Sequence, residues 1–188
     1  SRAVALQRST LTLSVMSSRP KIYLDAAPLI DLAKERVGVK LPDNIRQNDV
    51  WHLNQFLKAA KDGKVELFTF VLSIAECTHV EDEKKLEAAK PIYMGLLASG
   101  RSGIRLVQPT LAIAERARDL RWLSSVNLKG ADALHVASAL RMGCDEFFTG
   151  DGKIMKSAHI LGQMGLAVCR PSASGLLPSD YQQVDLDL

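Results

Sequence analysis

The chain has 188 residues, 47% of them apolar and 24% charged, with a formal net charge of +3. That length suits one domain with a sizeable core, and the composition is that of an ordinary globular protein rather than a disordered chain. The small charge excludes a bulk-cationic nucleic-acid binder. Segment 1–15 contributes Arg2 and Arg8 and no acid, and without it 22 basic residues face 21 acidic ones, a balance of +1, so any basic surface must come from local clustering. The three cysteines, Cys77, Cys144 and Cys169, are far apart and form no C-x-x-C pair. They predict a reduced, cytoplasmic chain and argue against a cysteine-zinc site. No apolar run approaches the ~20 residues of a membrane span.

In chain order, Ser1–Pro20 has no clear helical or strand period and reads as an N-terminal extension, either appended or translated upstream of Met16, a natural start. A basic arm that touches a partner is the sharper reading. The main domain is predicted over 21–170. Lys21–Leu24 reads as a strand ended by Asp25, and Ala26–Glu35 as a helix with Pro28 in its first turn, where a missing N–H costs little. A loop follows at 38–44, then a helix over 49–62 with Leu53, Phe56, Leu57 and Ala60 as its buried stripe. Val65–Phe70 is almost continuously apolar, as a strand covered on both faces would be. A helix over 71–81 containing Glu76 follows, then a helix over 84–98 broken or kinked at Pro91. Ile104–Val107 reads as the third strand and 109–124 as a helix of mixed charge. Ala131–Met142 has a helical apolar face of Ala133, Val136, Ala137 and Leu140, closed by Gly143 as a C-cap. Glu146–Thr149 is a short aromatic strand, 156–163 a short helix, and Leu166–Cys169 a fifth strand. Segment 171–188 reads as a loosely held tail ending with Asp185 and Asp187.

Strands alternating with helices predict an α/β fold with a parallel sheet and helices on both faces. In such a sheet, ligands bind beyond the carboxyl ends of the strands. Asp25, Glu76 and Asp151 each follow a predicted strand, and Asp132 opens a helix whose N-terminus can lie on that same edge. Each acid has a structural reading too. Asp25 can cap a helix, Ser73-x-x-Glu76 matches a capping box, Asp132 can complement a helix dipole, and Asp151 can be a turn residue. Taken together, four acids at one sheet edge would raise each other's pKa, and a divalent cation would remove that repulsion. A carboxylate-only set suits the hard cations Mg²⁺ and Mn²⁺, and phosphodiester hydrolysis is the chemistry such a site favours.

Three segments carry a family resemblance: IYLDAAPLIDL at 22–32, FTFVLSIAEC at 68–77, and ADALHVASALRMGCDEFFTGDGK at 131–153. The last is the most specific. In these segments the chain resembles PIN-domain proteins, and most closely the VapC-type toxins of toxin–antitoxin pairs. The resemblance implies a three-layer α/β/α sandwich with a parallel sheet of about five strands, and Mg²⁺- or Mn²⁺-dependent endoribonuclease activity. It places the metal-holding acids at Asp25, Glu76, Asp132 and Asp151, with Thr149 as the hydroxyl residue that helps place the last acid or a water. It further implies a cognate antitoxin protein as partner, and homodimers. The chain departs from the pattern at Ala26 and Ala27, where the family carries hydroxyl or amide side chains. A supporting hydrogen bond to the site is therefore expected to be missing.

Lys129, Lys153 and Lys156, with Arg116, Arg118 and Arg121, are the candidates to grip the flanking strand. The substrate is expected to be single-stranded RNA, whose unstacked nucleotides can enter a narrow acidic pocket. His135, one turn from Asp132, reads as helix packing, with a place near the site as the alternative, and Trp51 and Trp122 read as packing or interface anchors. Gly150-x-Gly152-Lys153 lacks the frame of a phosphate-binding P-loop. Two alternatives stand beside the nuclease. One is a PIN-like protein of weak or lost activity that binds a partner in a groove between Asp49 and Leu97. The other is a phosphotransfer enzyme with Asp25 as nucleophile, which would want an acid where Ala27 stands.

Overall fold

The computed structural model describes residues 18–183. Most of the expected N-terminal extension, with Asp185 and Asp187, lies outside the described residues. The elements in chain order are β1 (Lys21–Leu24), α1 (Ala26–Arg36), α2 (Asn44–Lys61), β2 (Glu66–Phe70), α3 (Ser73–Glu76), α4 (Glu83–Leu97) and β3 (Ile104–Val107). They continue with α5 (Leu111–Ser124), α6 (Gly130–Met142), β4 (Glu146–Phe148), α7 (Gly152–Met155), α8 (Ala158–Gln163) and β5 (Ala167–Cys169).

Among the described residues the strands form one five-stranded sheet in the order β3-β2-β1-β4-β5, and every pairing is parallel. Alternation along β1 explains the layers. Ile22 and Leu24 face one core with Leu29 and Leu32 of α1, Leu53 and Phe56 of α2, and Tyr93 and Leu96 of α4. Tyr23 faces the other with Phe68, Phe147, Ile113 and Leu120 of α5, and Val136 and Ala137 of α6. Its ring stacks on Phe147 at 5.1 Å. The expected three-layer α/β/α sandwich is thus present. Among the described residues no helix is long and apolar enough to cross a membrane.

Some element boundaries differ from the expectation. Helix α2 starts at Asn44, five residues early, because Asp43 caps it by accepting from Arg46 N at 2.8 Å. The helix read over 71–81 shrinks to α3. Helix α4 runs through Pro91, whose exposed position leaves the carbonyl of Glu87 open to water. Residues 171–183 are not loose. Ser172 bonds Asp49 of α2, Tyr181 Oη donates to Asp62 at 2.5 Å, and Leu177 is buried.

The topology positions the site. From β1 the chain turns to β2 and β3 on one side, then crosses to β4 and β5 on the other. A crevice opens at the carboxyl ends of β1 and β4, where strand order reverses.

Candidate functional site

Asp25 stands at that crevice. Its backbone N–H donates to Phe148 at 3.1 Å and so continues the β1–β4 ladder past the last strand residue. The residue is only 9% exposed. Ala26 N–H donates to Oδ1 at 2.8 Å, and Thr149 Oγ1 donates to Oδ2 at 2.6 Å. Burial raises the Asp25 pKa above the ordinary carboxylate range, and the charge of Glu76 adds to the rise. The Thr149 hydrogen bond, the nearby His135 and the Ala26 N–H oppose it. The helix-cap reading of Asp25 is therefore correct and incomplete, since the cap uses one oxygen and the other faces Thr149.

Thr149 joins two of the predicted acids. Fully buried after β4, it is held by its N–H on Cys169 O at 3.1 Å, and its hydroxyl oxygen accepts from Asp151 N at 2.9 Å. Asp151 in turn caps α7, accepting from Lys153 N at 2.6 Å. The hydrogen bond expected to be missing at Ala26–Ala27 thus has a counterpart from the other side of the crevice.

Glu76 is positioned by polar groups below the sheet edge. Buried Thr69 donates to Leu24 O at 2.7 Å and shares a 2.7 Å hydrogen bond with Ser73, which fixes the first turn of α3. The capping-box reading of Ser73-x-x-Glu76 is wrong, because the N-cap of α3 is Leu72 and makes no side-chain bond. Glu76 instead turns to His135, whose Nε2 lies 2.8 Å from Oε2. His135 is 1% exposed, and its Nδ1 lies 2.9 Å from Tyr23 Oη. Burial pushes the Tyr23 phenol far above its ordinary value, so it stays protonated beside Nδ1. Nε2 faces the Glu76 carboxylate, which accepts its proton as a hydrogen bond. His135 is more than a packing residue. The spacing that offered this alternative is its place one turn after Asp132, on the same face of α6.

Asp132 lies in the first turn of α6. Asp25, Glu76, Asp132 and Asp151 all line one cleft of about 490 Å³. Among the described residues, no three His, Cys, Asp or Glu side chains stand close enough together to hold a metal ion as they are. The structure therefore brings the four acids to one cleft without closing them into a cage. The donor chemistry itself fits a hard divalent cation. All four groups are carboxylates, and one of them is buried with its charged form disfavoured, which a cation would reverse. Burial pushes the adjacent Cys77 thiol up to about 12, so it is protonated at neutral pH and is no soft ligand.

Sequence reading missed two cations in the cleft. Arg46 donates from Nε and Nη2 to the two oxygens of Asp31 at 2.7 and 2.6 Å. Arg170 lies against Asp49, with Nε and Nη2 at 2.7 and 2.6 Å from Oδ2. Both arginines line the cleft, whereas Lys129, Lys153, Lys156, Arg116, Arg118 and Arg121 do not. Arg118 lies 5.1 Å over the ring of Trp122, which is 72% exposed on α5.

A family model described as PIN domain matches residues 22–159, a span that contains Asp25, Glu76, Asp132, Thr149 and Asp151. No curated protein and no solved structure matches the chain.

Proposed function

The chain belongs to the PIN-domain family, which generally comprises metal-dependent nucleases acting on nucleic acids, and from that premise we propose that it is a Mg²⁺- or Mn²⁺-dependent endoribonuclease. The observation that carries this reading is the shared cleft of Asp25, Glu76, Asp132 and Asp151 at the reversal of strand order. These four residues would hold the cation or cations. Bound there, the cation supplies an activated water near neutral pH and positive charge opposite the phosphate oxygens.

The rest follows from the chain's own groups. Thr149 donates to Asp25 and so favours its charged form against the larger effect of burial, and it holds the backbone of Asp151 by accepting from it. Asp151 would complete the acidic set or orient the attacking water. His135 fixes Glu76, and its own orientation is fixed by Tyr23. A single strand suits the cleft better than a duplex, because one backbone must bring its phosphate to buried Asp25. The toxin role in a toxin–antitoxin pair is part of the proposal and rests on the three sequence segments.

A second reading is a PIN fold with weak or lost activity that serves as a partner-binding module. Ala26–Ala27 and the unclosed acid set favour it. The segments between Asp49 and Leu97 are where a groove for a partner helix would lie. One experiment separates the two. Wild-type protein with Mg²⁺ or Mn²⁺ is expected to cleave single-stranded RNA, and chelator to abolish it. Asp25→Asn and Asp132→Asn are each expected to lose at least about 100-fold, as loss of an oriented charge at a reacting centre typically does. Cleavage indifferent to chelator and to both substitutions would remove the metal-nuclease reading.

A further inference from the structure

Resting on that nuclease reading, we propose that Arg46 and Arg170 are two prepositioned phosphate forks that bind the backbone of the RNA strand along the α2 side of the cleft. Among the described residues that line the cleft, these two are the cations, set among seven carboxylates. An acidic cleft repels a polyanion, so a strand that reaches Asp25 needs positive groups beside the acids.

Each arginine is held for that task. Asp31 and Asp49 have side chains 9% and 8% exposed, whereas both arginine side chains are 32% exposed. Both members of each pair line the cleft, and the guanidinium is the more exposed of the two. A guanidinium has five N–H donors in a rigid fork, and the pairing to Asp31 occupies two of those of Arg46. Asp49 is anchored further by the N–H and hydroxyl of Ser172, at 3.1 and 2.5 Å. The arrangement runs through three elements: Asp31 on α1 holds Arg46 on α2, and Asp49 on α2 holds Arg170 after β5. Gly150 brings the second fork to the acids. A Cβ there would meet Arg170 Nη1 at 3.4 Å, so the guanidinium lies against the backbone between Thr149 and Asp151. Arg170 also lies beyond the span matched by the family model.

A purely structural role would clip α1 to α2 and the C-terminal segment to α2, and would leave RNA affinity untouched. The test uses the full-length Asp132→Asn protein, so that RNA is not consumed. Magnesium is present, and a fluorescein-labelled single-stranded RNA of mixed sequence is followed by anisotropy across a salt series. Adding Arg46→Gln or Arg170→Gln is expected to weaken binding roughly 10-fold or more. Each is also expected to reduce the magnitude of the log Kd against log salt slope by about 0.7, the value for one phosphate contact on a single strand. Affinity within twofold of the parent, with the slope unchanged, overturns the proposal. If a glutamine variant does not fold, Arg46→Lys and Arg170→Lys keep the charge and lose the fork. They are expected to keep the slope and lose affinity, and an unchanged affinity again overturns the proposal. Wild-type cleavage with unaltered binding by the arginine variants sinks this inference alone. Wild-type protein that neither cleaves nor binds RNA sinks the nuclease reading and this inference with it.

Discussion

His135 is bonded at both ring nitrogens, and the two partners do different things. The Tyr23 hydroxyl meets Nδ1 from inside the sheet and fixes the ring's orientation, while Nε2 reaches the Glu76 carboxylate at the cleft. Loss of such a supporting hydrogen bond typically weakens metal affinity 10–100-fold. The two amides divide the ring's functions. Glutamine places a donor about where Nε2 stands, and asparagine ends near Nδ1. His135→Gln is therefore expected to keep most of the magnesium response, and His135→Asn to need roughly 10–100-fold more magnesium. The readouts are cleavage rate and melting temperature, each against magnesium concentration. Equal responses in the two variants would reduce His135 to packing. At this scale the placement of the acids at one sheet edge, with Thr149 beside them, was legible in the sequence, and the other supports were not. An Asp after an apolar strand announces its own position, because the strand end fixes it. His135, Arg46 and Arg170 take their meaning from Glu76, Asp31 and Asp49, partners 15 to 121 residues away.

Among the elements, β1, β2 and α6 were legible because each buries a continuous or strongly periodic apolar face. The start of α2 was not. Residues 44–48 are Asn, Ile, Arg, Gln and Asn, and all but Arg46 are exposed, so no apolar period marks them. What starts this helix is a side-chain cap, Asp43 on Arg46 N. Asp43→Ala is expected to cost about 1 kcal/mol of folding free energy, read from urea unfolding at unchanged slope. No measurable loss would mean that the Arg46–Asp31 pair alone sets the start of α2. The helix read over 71–81 failed for the opposite reason. Its apolar spacing continues, but Cys77 and Val80 are buried as irregular chain once Thr69 and Ser73 have fixed the turn that carries Glu76.

For the whole molecule, gathering acids at one sheet edge sets stability against function. Asp25 has its pKa raised in the folded state, so the folded protein holds that proton to higher pH than the unfolded chain does. Below the ordinary carboxylate range both states are protonated and nothing is lost. As pH rises through that range towards the raised folded value, the unfolded chain ionises first, and stability falls. Asp25→Asn removes this loss and retains the means to bond Ala26 N–H and Thr149. The variant is expected to melt above wild type at neutral pH without metal, and the gap should close as pH falls into the ordinary carboxylate range. Magnesium should close the same gap from the other side, because it stabilises the ionised form that burial disfavours. At about 100 times its dissociation constant a ligand adds about 2.7 kcal/mol, roughly 5–11 °C for a chain of this size. Wild type should show that rise at neutral pH, less of it as protons compete for Asp25 at lower pH, and Asp25→Asn little at any pH. Melting curves of the two proteins over a pH series, with magnesium and with chelator, measure all of this. A gap that does not vary with pH would mean that burial does not disfavour the Asp25 charge. An equal magnesium response in both proteins would mean that the cation binds elsewhere on the surface.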